Sequence, residues 1–324
     1  MRRRTLLGAA GAAAALWRHA AAAQQPGRLY RIAYLGPSPP SAPPQRAFFA
    51  ALDTQGYVEG KNLVVDQRGY SQSPGQFPAA AALLVEAKPD AIVCGGPEAG
   101  RAAQGATQIV PLIVNSDDLV GEGLVSSIAH PGGNTTGISV HSPDLDGKRL
   151  EILLELLPGA RRIAVLAGSD TANEQHFTVL QDAARARGIE LSIRTADSYA
   201  AIAPAIAAAK NGGAQGLNVL GSALLFGNRQ AIFEQSLALR LPAIYQWPEN
   251  AYEGGLIGYG PSITRIYGEQ ISRLAVTILR GTAPGDLPVE LPDKLSLAIN
   301  TKVAESLGLA VPQLLLAQAD EVIE

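Results

Sequence analysis

The polar residues that can hold a small molecule stand directly after short apolar segments of the chain. If these segments are strands of an open parallel sheet, ligands bind beyond their carboxyl ends, because the loops there face a crevice and the following helices present free backbone N–H groups. Residues such as Ser169, Asp170 and Asn173 also suit a simpler role as helix N-caps. The strand-end rule selects one predicted surface: Ser38, Gly96-Pro97-Glu98, Asn115 to Asp118, Ser169 to Asn173, Ser222 and Tyr245.

Two adjacent carboxylates on this surface, Asp117 and Asp118, admit two kinds of chemistry. One of them can act as a general base, or either can pair with the ammonium group of a ligand. No Walker, H-E-x-x-H, C-x-x-C or G-x-S-x-G sequence occurs, and the glycines of residues 95–100 lack dinucleotide-loop spacing. His130, His141 and His176 are far apart and are expected in turns or on the surface. We therefore predict no catalytic residue, no metal and no cofactor.

The N-terminal segment predicts export. Residues 1–23 combine Arg2-Arg3-Arg4, an apolar run from Leu6 to Trp17 and a tract of small residues at positions 20–23, which is the pattern of a signal peptide. The apolar run is shorter than the roughly 20 residues that span a bilayer. The paired arginines loosely fit a twin-arginine signal, so the export route stays open. We expect a periplasmic protein that is not inserted in the membrane.

The charge of the chain excludes several classes of partner. Residues 1–23 hold four of the 26 basic residues and no acid, so removing them changes the formal net charge from −3 to −7. An acidic chain without basic clusters argues against binding of nucleic acid or anionic membranes. Cys94, the one cysteine, lies in an apolar strand and is expected to be a buried small hydrophobe. Nothing predicts an obligate assembly, and we expect a monomer.

Short apolar strands alternate with Ala- and Leu-rich helical patterns from Arg28 onward, which predicts βαβ units with parallel sheets. A stretch rich in Gly and Pro between Asp117 and His141 interrupts the alternation, which then restarts. The length after the signal exceeds one comfortable core, so two lobes are expected. Near the end, residues 242–260 place two short strands around a polar, aromatic-rich loop, and a helix follows with apolar positions at Ile263, Tyr267 and Ile271.

Seven separated segments carry a resemblance to a known family. With them in this order, essentially the whole chain after the signal resembles the substrate-binding proteins of ABC importers of the tryptophan/tyrosine-binding type, which have the type I periplasmic-binding-protein fold. The segments are Gly56-Tyr57-Val58-Glu59-Gly60-Lys61-Asn62, the Asp118–Val125 run, Pro131-Gly132-Gly133-Asn134-Thr135-Thr136-Gly137, Gly147-Lys148-Arg149-Leu150-Glu151, Leu241-Pro242-Ala243-Ile244-Tyr245, Gly254-Gly255-Leu256 with Tyr259-Gly260-Pro261, and Asp286-Leu287-Pro288-Val289-Glu290.

The resemblance implies an α/β fold of two Rossmann-like lobes with parallel sheets, joined by a hinge of three crossovers near residues 141, 254 and 289. Residues 28–141 and 255–288 are then the first lobe, and residues 142–254 and 289–324 the second. It also implies that a small solute is held in the cleft and delivered to an ABC permease. The ligand contacts implied position by position are Ser38, Pro97 to Ala99, Asp118, Asn173, Ser222 and Tyr245.

The sequence departs from the family pattern at Pro97-Glu98, Leu119 and Ser222. Pro97 removes a backbone donor, and Glu98 adds a negative charge that repels a carboxylate if it points inward. We therefore predict a small apolar or aromatic solute; whether it is an amino acid or a related acid or amide stays open. A sensory protein that presents its ligand to a membrane receptor is an alternative, as is an enzyme on the same scaffold with Asp117 or Asp118 as general base.

Overall fold

The computed structural model describes residues 27–324 except residue 141, and for residues 142–144 it describes the backbone only. The predicted signal peptide, residues 1–23, lies outside the described residues. The described part of the chain forms one sheet of five strands and another of seven, each the centre of a lobe. This confirms the predicted α/β fold with two lobes.

The first lobe is built on a parallel sheet of five strands. These are β1 (Tyr30–Leu35), β2 (Leu63–Asp66), β3 (Ala91–Gly95), β4 (Leu112–Ser116) and β5 (Thr135–Ser139), in the spatial order β2-β1-β3-β4-β5. The helices of this lobe are α1 (Pro43–Thr54), α2 (Phe77–Glu86) and α3 (Pro97–Ala106). Apolar clusters cover both faces, so the strands are nearly continuous buried runs. Cys94 is buried in β3 as predicted, and burial raises the pKa of its thiol to about 12.

The second lobe repeats the βα alternation with more helices. Its strands in chain order begin with β6 (Arg162–Gly168), β7 (Glu190–Ala196), β8 (Gly216–Val219), β9 (Ala243–Tyr245) and β10 (Ile257–Pro261). The helices among them are α4 (Ser142–Leu156), α5 (Glu174–Arg185), α6 (Tyr199–Asn211), α7 (Ala223–Gly227), α8 (Arg229–Ala238) and α9 (Glu249–Tyr252). Two apolar clusters again cover the sheet, which explains the buried character of β6 and β8.

The chain returns to the first lobe later than predicted. The predicted division put residue 255 onward in the first lobe, but β10 pairs with β9 and so belongs to the second sheet. The crossing follows Pro261 and leads into α10 (Ile263–Arg265), a π-helical segment (Ile266–Ile271) and α11 (Ser272–Leu279), which pack against α1. The strand pairing is a contact between distant parts of the chain, and local sequence does not encode it.

The last crossing returns the chain to the second lobe. The Glu290 backbone N–H donates to the Gly137 carbonyl at 3.0 Å, and its carbonyl accepts from the Ser139 N–H at 2.9 Å, so residue 290 still lies beside β5. The chain continues through β11 (Leu295–Asn300), α12 (Thr301–Leu307), α13 (Gln313–Gln318) and β12 (Glu321–Ile323). The second sheet then has the order β12-β11-β10-β9-β8-β6-β7, and β11 runs antiparallel to β10.

The π-helical segment orients a side chain toward the space between the lobes. Ile263, Tyr267 and Ile271 are buried and are spaced four residues apart. Side chains four positions apart lie on the same face of a helix. Ile263 and Tyr267 consequently both face the cavity that lies between the lobes.

Candidate ligand-binding site

A cavity lies between the two lobes. The empty space in it, together with the solvent at its mouth, measures about 610 Å³. The segments that line it follow strands of both sheets, as the strand-end rule predicts. From the first lobe these are Pro37-Ser38, Gly95 to Pro97 and Asn115 to Asp117; from the second they are Asp170-Thr171, Gly221 to Ala223 and Gln246-Trp247. A solute in this cavity contacts both lobes.

The two lobes meet closely around the cavity. The Ser169 hydroxyl donates to Glu98 Oε1 at 3.2 Å across the cleft. Gly96 adopts a φ of +108°, and a Cβ at this position would lie 2.8 Å from the Ala223 Cβ. Two constraints therefore require glycine at position 96. The backbone angle disfavours other residues, and the opposite lobe leaves no room for a side chain. The described structure is a closed arrangement of the lobes.

Aromatic and aliphatic side chains form the apolar walls of the cavity. Burial raises the pKa of Tyr34 to about 12, although hydrogen bonds from Ser38 oppose the shift, so its hydroxyl stays protonated at neutral pH. Arg229 stacks over the ring of Phe226 at 4.3 Å and holds that ring at the cavity edge. These walls suit an apolar or aromatic solute. They are formed by Tyr34, Val140, Phe226, Trp247, Ile263 and Tyr267.

Two partly buried carboxyl groups face the cavity from opposite lobes. Burial raises the pKa of Glu122 to about 7, while the Ser116 hydroxyl donates to its Oε2. Burial also raises the pKa of Asp170 to about 6. The Ser222 hydroxyl donates to Asp170 Oδ1 at 2.5 Å and the Ala223 N–H to Oδ2 at 2.8 Å. Both groups are thus positioned by neutral donors.

A third acid, Asp117, links the lobes through a buried charge network. His176 Nε2 lies 3.2 Å from Asp117 Oδ2 in the other lobe, and His176 Nδ1 lies 2.5 Å from Asp146 Oδ2. Arg149 completes the network at 2.5 Å from Asp146 Oδ1. Burial lowers the pKa of His176, but its two carboxylate partners outweigh burial and raise the pKa to about 9. The prediction of a surface or turn histidine is wrong here, since His176 is 1% exposed.

We expect the free energy of unfolding to depend on His176 protonation. The folded pKa of about 9 exceeds the unfolded value of about 6.5, so the contribution is fully present below pH 6.5 and is lost as pH rises through 9. This shift of the His176 pKa corresponds to about 3 kcal/mol of the free energy of unfolding. Melting temperatures recorded from pH 6 to 9.5 should fall in the wild type and change less in His176→Gln. Parallel curves for the two proteins would contradict this assignment.

Nine of the predicted surface residues line the cavity. They are Ser38, Gly96, Pro97, Asn115, Ser116, Asp117, Asp170, Thr171 and Ser222. Ser222 also caps α7, because its hydroxyl oxygen accepts the Leu225 N–H at 3.3 Å. The local role and the cavity position coincide at this residue, and ligand contact by the nine stays a prediction.

The remaining predicted residues do not line this cavity. Ser169 and Glu98 bond to each other, and Ala99 is buried in the first lobe. Asp118 Oδ1 accepts the Gly121 N–H at 3.0 Å, and Asn173 Oδ1 accepts the His176 N–H at 3.2 Å.

Tyr245 packs in the core of the second lobe, where its ring lies edge-on to Phe233 at 4.9 Å. The structure thus differs from the predicted cleft position of Tyr245, because the strand does not end until that residue. The side chains after it, Gln246 and Trp247, reach the cavity instead.

Several residues that line the cavity were not selected by the strand-end rule. Gln45 lies in the first turn of α1, and Glu122 lies in the loop after β4. The four-residue spacing of Ile263 and Tyr267 was visible in the sequence, but it indicated only a buried helix face. Phe226 sits in α7, a short helix that the sequence pattern did not predict. Sequence spacing marked these positions as helix or loop without showing that they meet.

No group of three or more His, Cys, Asp or Glu side chains among the described residues is arranged to hold a metal ion. None of the helices in this part of the chain is both long enough and apolar enough to cross a membrane.

Comparison with known proteins identifies a family and a shared fold. A family model described as ABC transporter substrate binding protein matches residues 44–323. A tyrosine-binding protein of Clostridioides difficile (strain R20291) is 26% identical over 267 residues, which cover 82% of this chain and 76% of that protein.

Two solved structures superpose over 91% of the chain. One is a conserved domain protein from Vibrio cholerae, with 24% identity, 99% of its own chain covered and a TM-score of 0.80. The other is an ABC domain from Streptococcus pneumonia in complex with L-Trp, with 21% identity, 100% of its chain covered and a TM-score of 0.77. At these identities the likeness establishes the fold.

Proposed function

The chain belongs to the ABC transporter substrate-binding protein family, and we propose that it captures a small apolar or aromatic solute between its lobes and delivers it to a membrane permease. Its tyrosine-binding relative and the L-Trp complex of its structural neighbour support an aromatic solute. We further propose that residues 1–23 direct export to the periplasm. No enzymatic step is part of this proposal.

The observation that carries the proposal is the composition of the cavity walls. Aromatic rings from both lobes, Tyr34 and Tyr267 on one side and Phe226 on the other, surround a space that also contains buried polar groups. Apolar walls with a few positioned polar groups are typical of small-molecule sites. Because each lobe supplies part of the lining, a bound solute stabilises the closed arrangement relative to an open one.

The first test is a screen for solutes that stabilise the purified protein. A solute at about 100 times its Kd should raise the free energy of unfolding by about 2.7 kcal/mol, which thermal melting detects. We expect aromatic solutes to give the shift, and X-ray scattering of the saturated protein to show a smaller radius than that of the free protein. Stabilisation by sugars alone would contradict the proposal.

A pair of matched variants ties binding to the cavity. Phe226→Ala removes a partly buried ring from the cavity wall, and Phe49→Ala removes a partly buried ring from α1 outside it. Losing the ring contact should weaken aromatic-solute binding about tenfold or more for Phe226→Ala. Phe49→Ala should leave the Kd unchanged. Equal effects of the two variants on Kd would show that the solute binds elsewhere.

A further inference from the structure

Every charged side chain that lines the cavity is acidic in the part of the chain that the structure describes. Asp117 is already paired with His176 at 3.2 Å. Glu122 and Asp170 are positioned by Ser116, Ser222 and the Ala223 N–H, none of which is charged. An anionic group brought into this cavity therefore meets like charges in a poorly solvated space, which is strongly unfavourable.

One buried amide oxygen in the cavity accepts no hydrogen bond from the described residues. Gln45 is 2% exposed and lines the cavity, and its Oε1 accepts no hydrogen bond from any described residue. Oδ1 of Asn115, another lining residue, is likewise buried and without a described donor. An unpaired buried acceptor is destabilising, and a donor on the solute removes this cost. An ammonium group offers three donors and no acceptor, and so matches these oxygens together with the carboxylates.

Three helices that begin at this cavity lack a free N–H at their first position. Helix N-termini are the usual anion sites, because their first N–H groups are free. Here α1 begins with Pro43-Pro44 and α3 begins with Pro97, and proline has no N–H. The first N–H of α7, that of Ala223, already donates to Asp170 at 2.8 Å. These helix starts are therefore weakened as sites for a carboxylate, whereas the unpaired oxygens and the acids remain as acceptors for a cation.

We propose that the solute is an amine that carries a positive charge and no carboxylate, attached to an aromatic or apolar group. The ammonium group lies among Glu122, Asp170 and the Gln45 amide, and the rings of Phe226 and Tyr267 pack on the apolar part. This inference rests on the proposed function and specifies its solute. It separates this protein from a receptor for the corresponding amino acid, whose carboxylate has no place among these acids.

Calorimetric titration at pH 7.5 with three indole compounds tests the charge preference directly. Tryptamine is a cation, tryptophan is a zwitterion and indole-3-propionate is an anion, while the ring is the same in all three. We expect tryptamine to bind at least about tenfold more tightly than tryptophan and indole-3-propionate to bind most weakly. Tyramine against tyrosine repeats the comparison on a smaller ring.

Charge-neutral variants assign the preference to the cavity acids. Glu122→Gln keeps the shape of the side chain and should lower the tryptamine-to-tryptophan affinity ratio about tenfold, and Asp170→Asn should act in the same direction. Asp53→Asn, an exposed acid on α1 with no place in the cavity, is the matched control and should leave the ratio unchanged. A purely structural role of Glu122 would weaken both ligands alike. If Asp170→Asn does not fold, the tryptamine-to-tryptophan affinity ratio of Glu122→Gln alone tests the proposal.

The outcomes separate the two proposals. Tryptophan binding as tightly as tryptamine, or more tightly, overturns the amine assignment and leaves the solute-receptor function intact. An unchanged affinity ratio in Glu122→Gln and in folded Asp170→Asn overturns it as well. If none of the aromatic compounds binds, whatever its charge, both the amine assignment and the aromatic-solute function fail.

Discussion

Replacing Asp146 by alanine is expected to lower the free energy of unfolding by about 3–5 kcal/mol. Asp146 and Arg149 are both fully buried, and their side chains lie 2.5 Å apart on one helix. Asp146 also holds His176 at 2.5 Å. Removing this one carboxylate leaves a guanidinium and an imidazolium in the interior with a single acid, Asp117, near the edge. An uncompensated buried charge is far more costly than the loss of a favourable contact.

Urea unfolding at pH 7 measures this effect. Glu151→Ala provides the control on the same helix, because Glu151 pairs with Lys148 and Arg187 in a half-exposed position and its loss should cost under about 1 kcal/mol. The double change Asp146→Leu with Arg149→Met removes both charges of the pair and should recover part of the stability. A loss for Asp146→Ala no larger than that for Glu151→Ala would show that the buried network is energetically unimportant.

Replacing Tyr245 by alanine is also expected to lower the free energy of unfolding by about 3–5 kcal/mol. The ring is 2% exposed, lies edge-on to Phe233 at an interplanar angle of 85° and belongs to the apolar cluster under α6 and α8. Truncation removes this contact and leaves a cavity that rigid neighbours fill only partly. Tyr245→Phe keeps the ring and should stay within about 1 kcal/mol of the wild type.

The same variants distinguish a core residue from a ligand contact. Tyr199→Ala, at a side chain that is 38% exposed, controls for the loss of a tyrosine in the same lobe and should be nearly neutral. Solute affinity of the folded Tyr245→Phe protein should equal that of the wild type. A tenfold loss of affinity in Tyr245→Phe with unchanged stability would restore the ligand-contact role predicted from the sequence.

The charge network and the cavity acids act on different properties of the protein. Asp117 reaches from the first lobe to His176 in the second, so this pair contributes to closure whether or not a solute is bound. Neither Glu122 nor Asp170 forms an ion pair with a described residue, although Arg101 donates to the Glu122 backbone carbonyl at 3.4 Å, so both charges are available to a solute. Substitutions in the network should therefore change stability first, and substitutions of the two cavity acids should change selectivity first.

The sequence by itself determined the fold class and the edge of the sheets where the cavity lies. Alternating apolar strands and helices predict parallel sheets, and the carboxyl ends of such strands share one edge. The residues found in this way without a structure are Ser38, Gly96, Pro97, Asn115 to Asp117, Asp170, Thr171 and Ser222. Local features also carried the N-cap role of Asn173, because a cap depends on residues three positions away.

Only the tertiary structure decided which side chains meet. The pairing of β10 with β9 and β11 joins distant segments, and this moved the second crossing from residue 254 to beyond residue 261. Burial, which depends on neighbours in three dimensions, placed His176 between two acids and put Tyr245 in the core while Gln246 and Trp247 reached the cavity. The strand-end rule had already selected Asp117 and Asp170, but only the packed structure added Glu122 to the same cavity, because it lies in a loop that local sequence does not place.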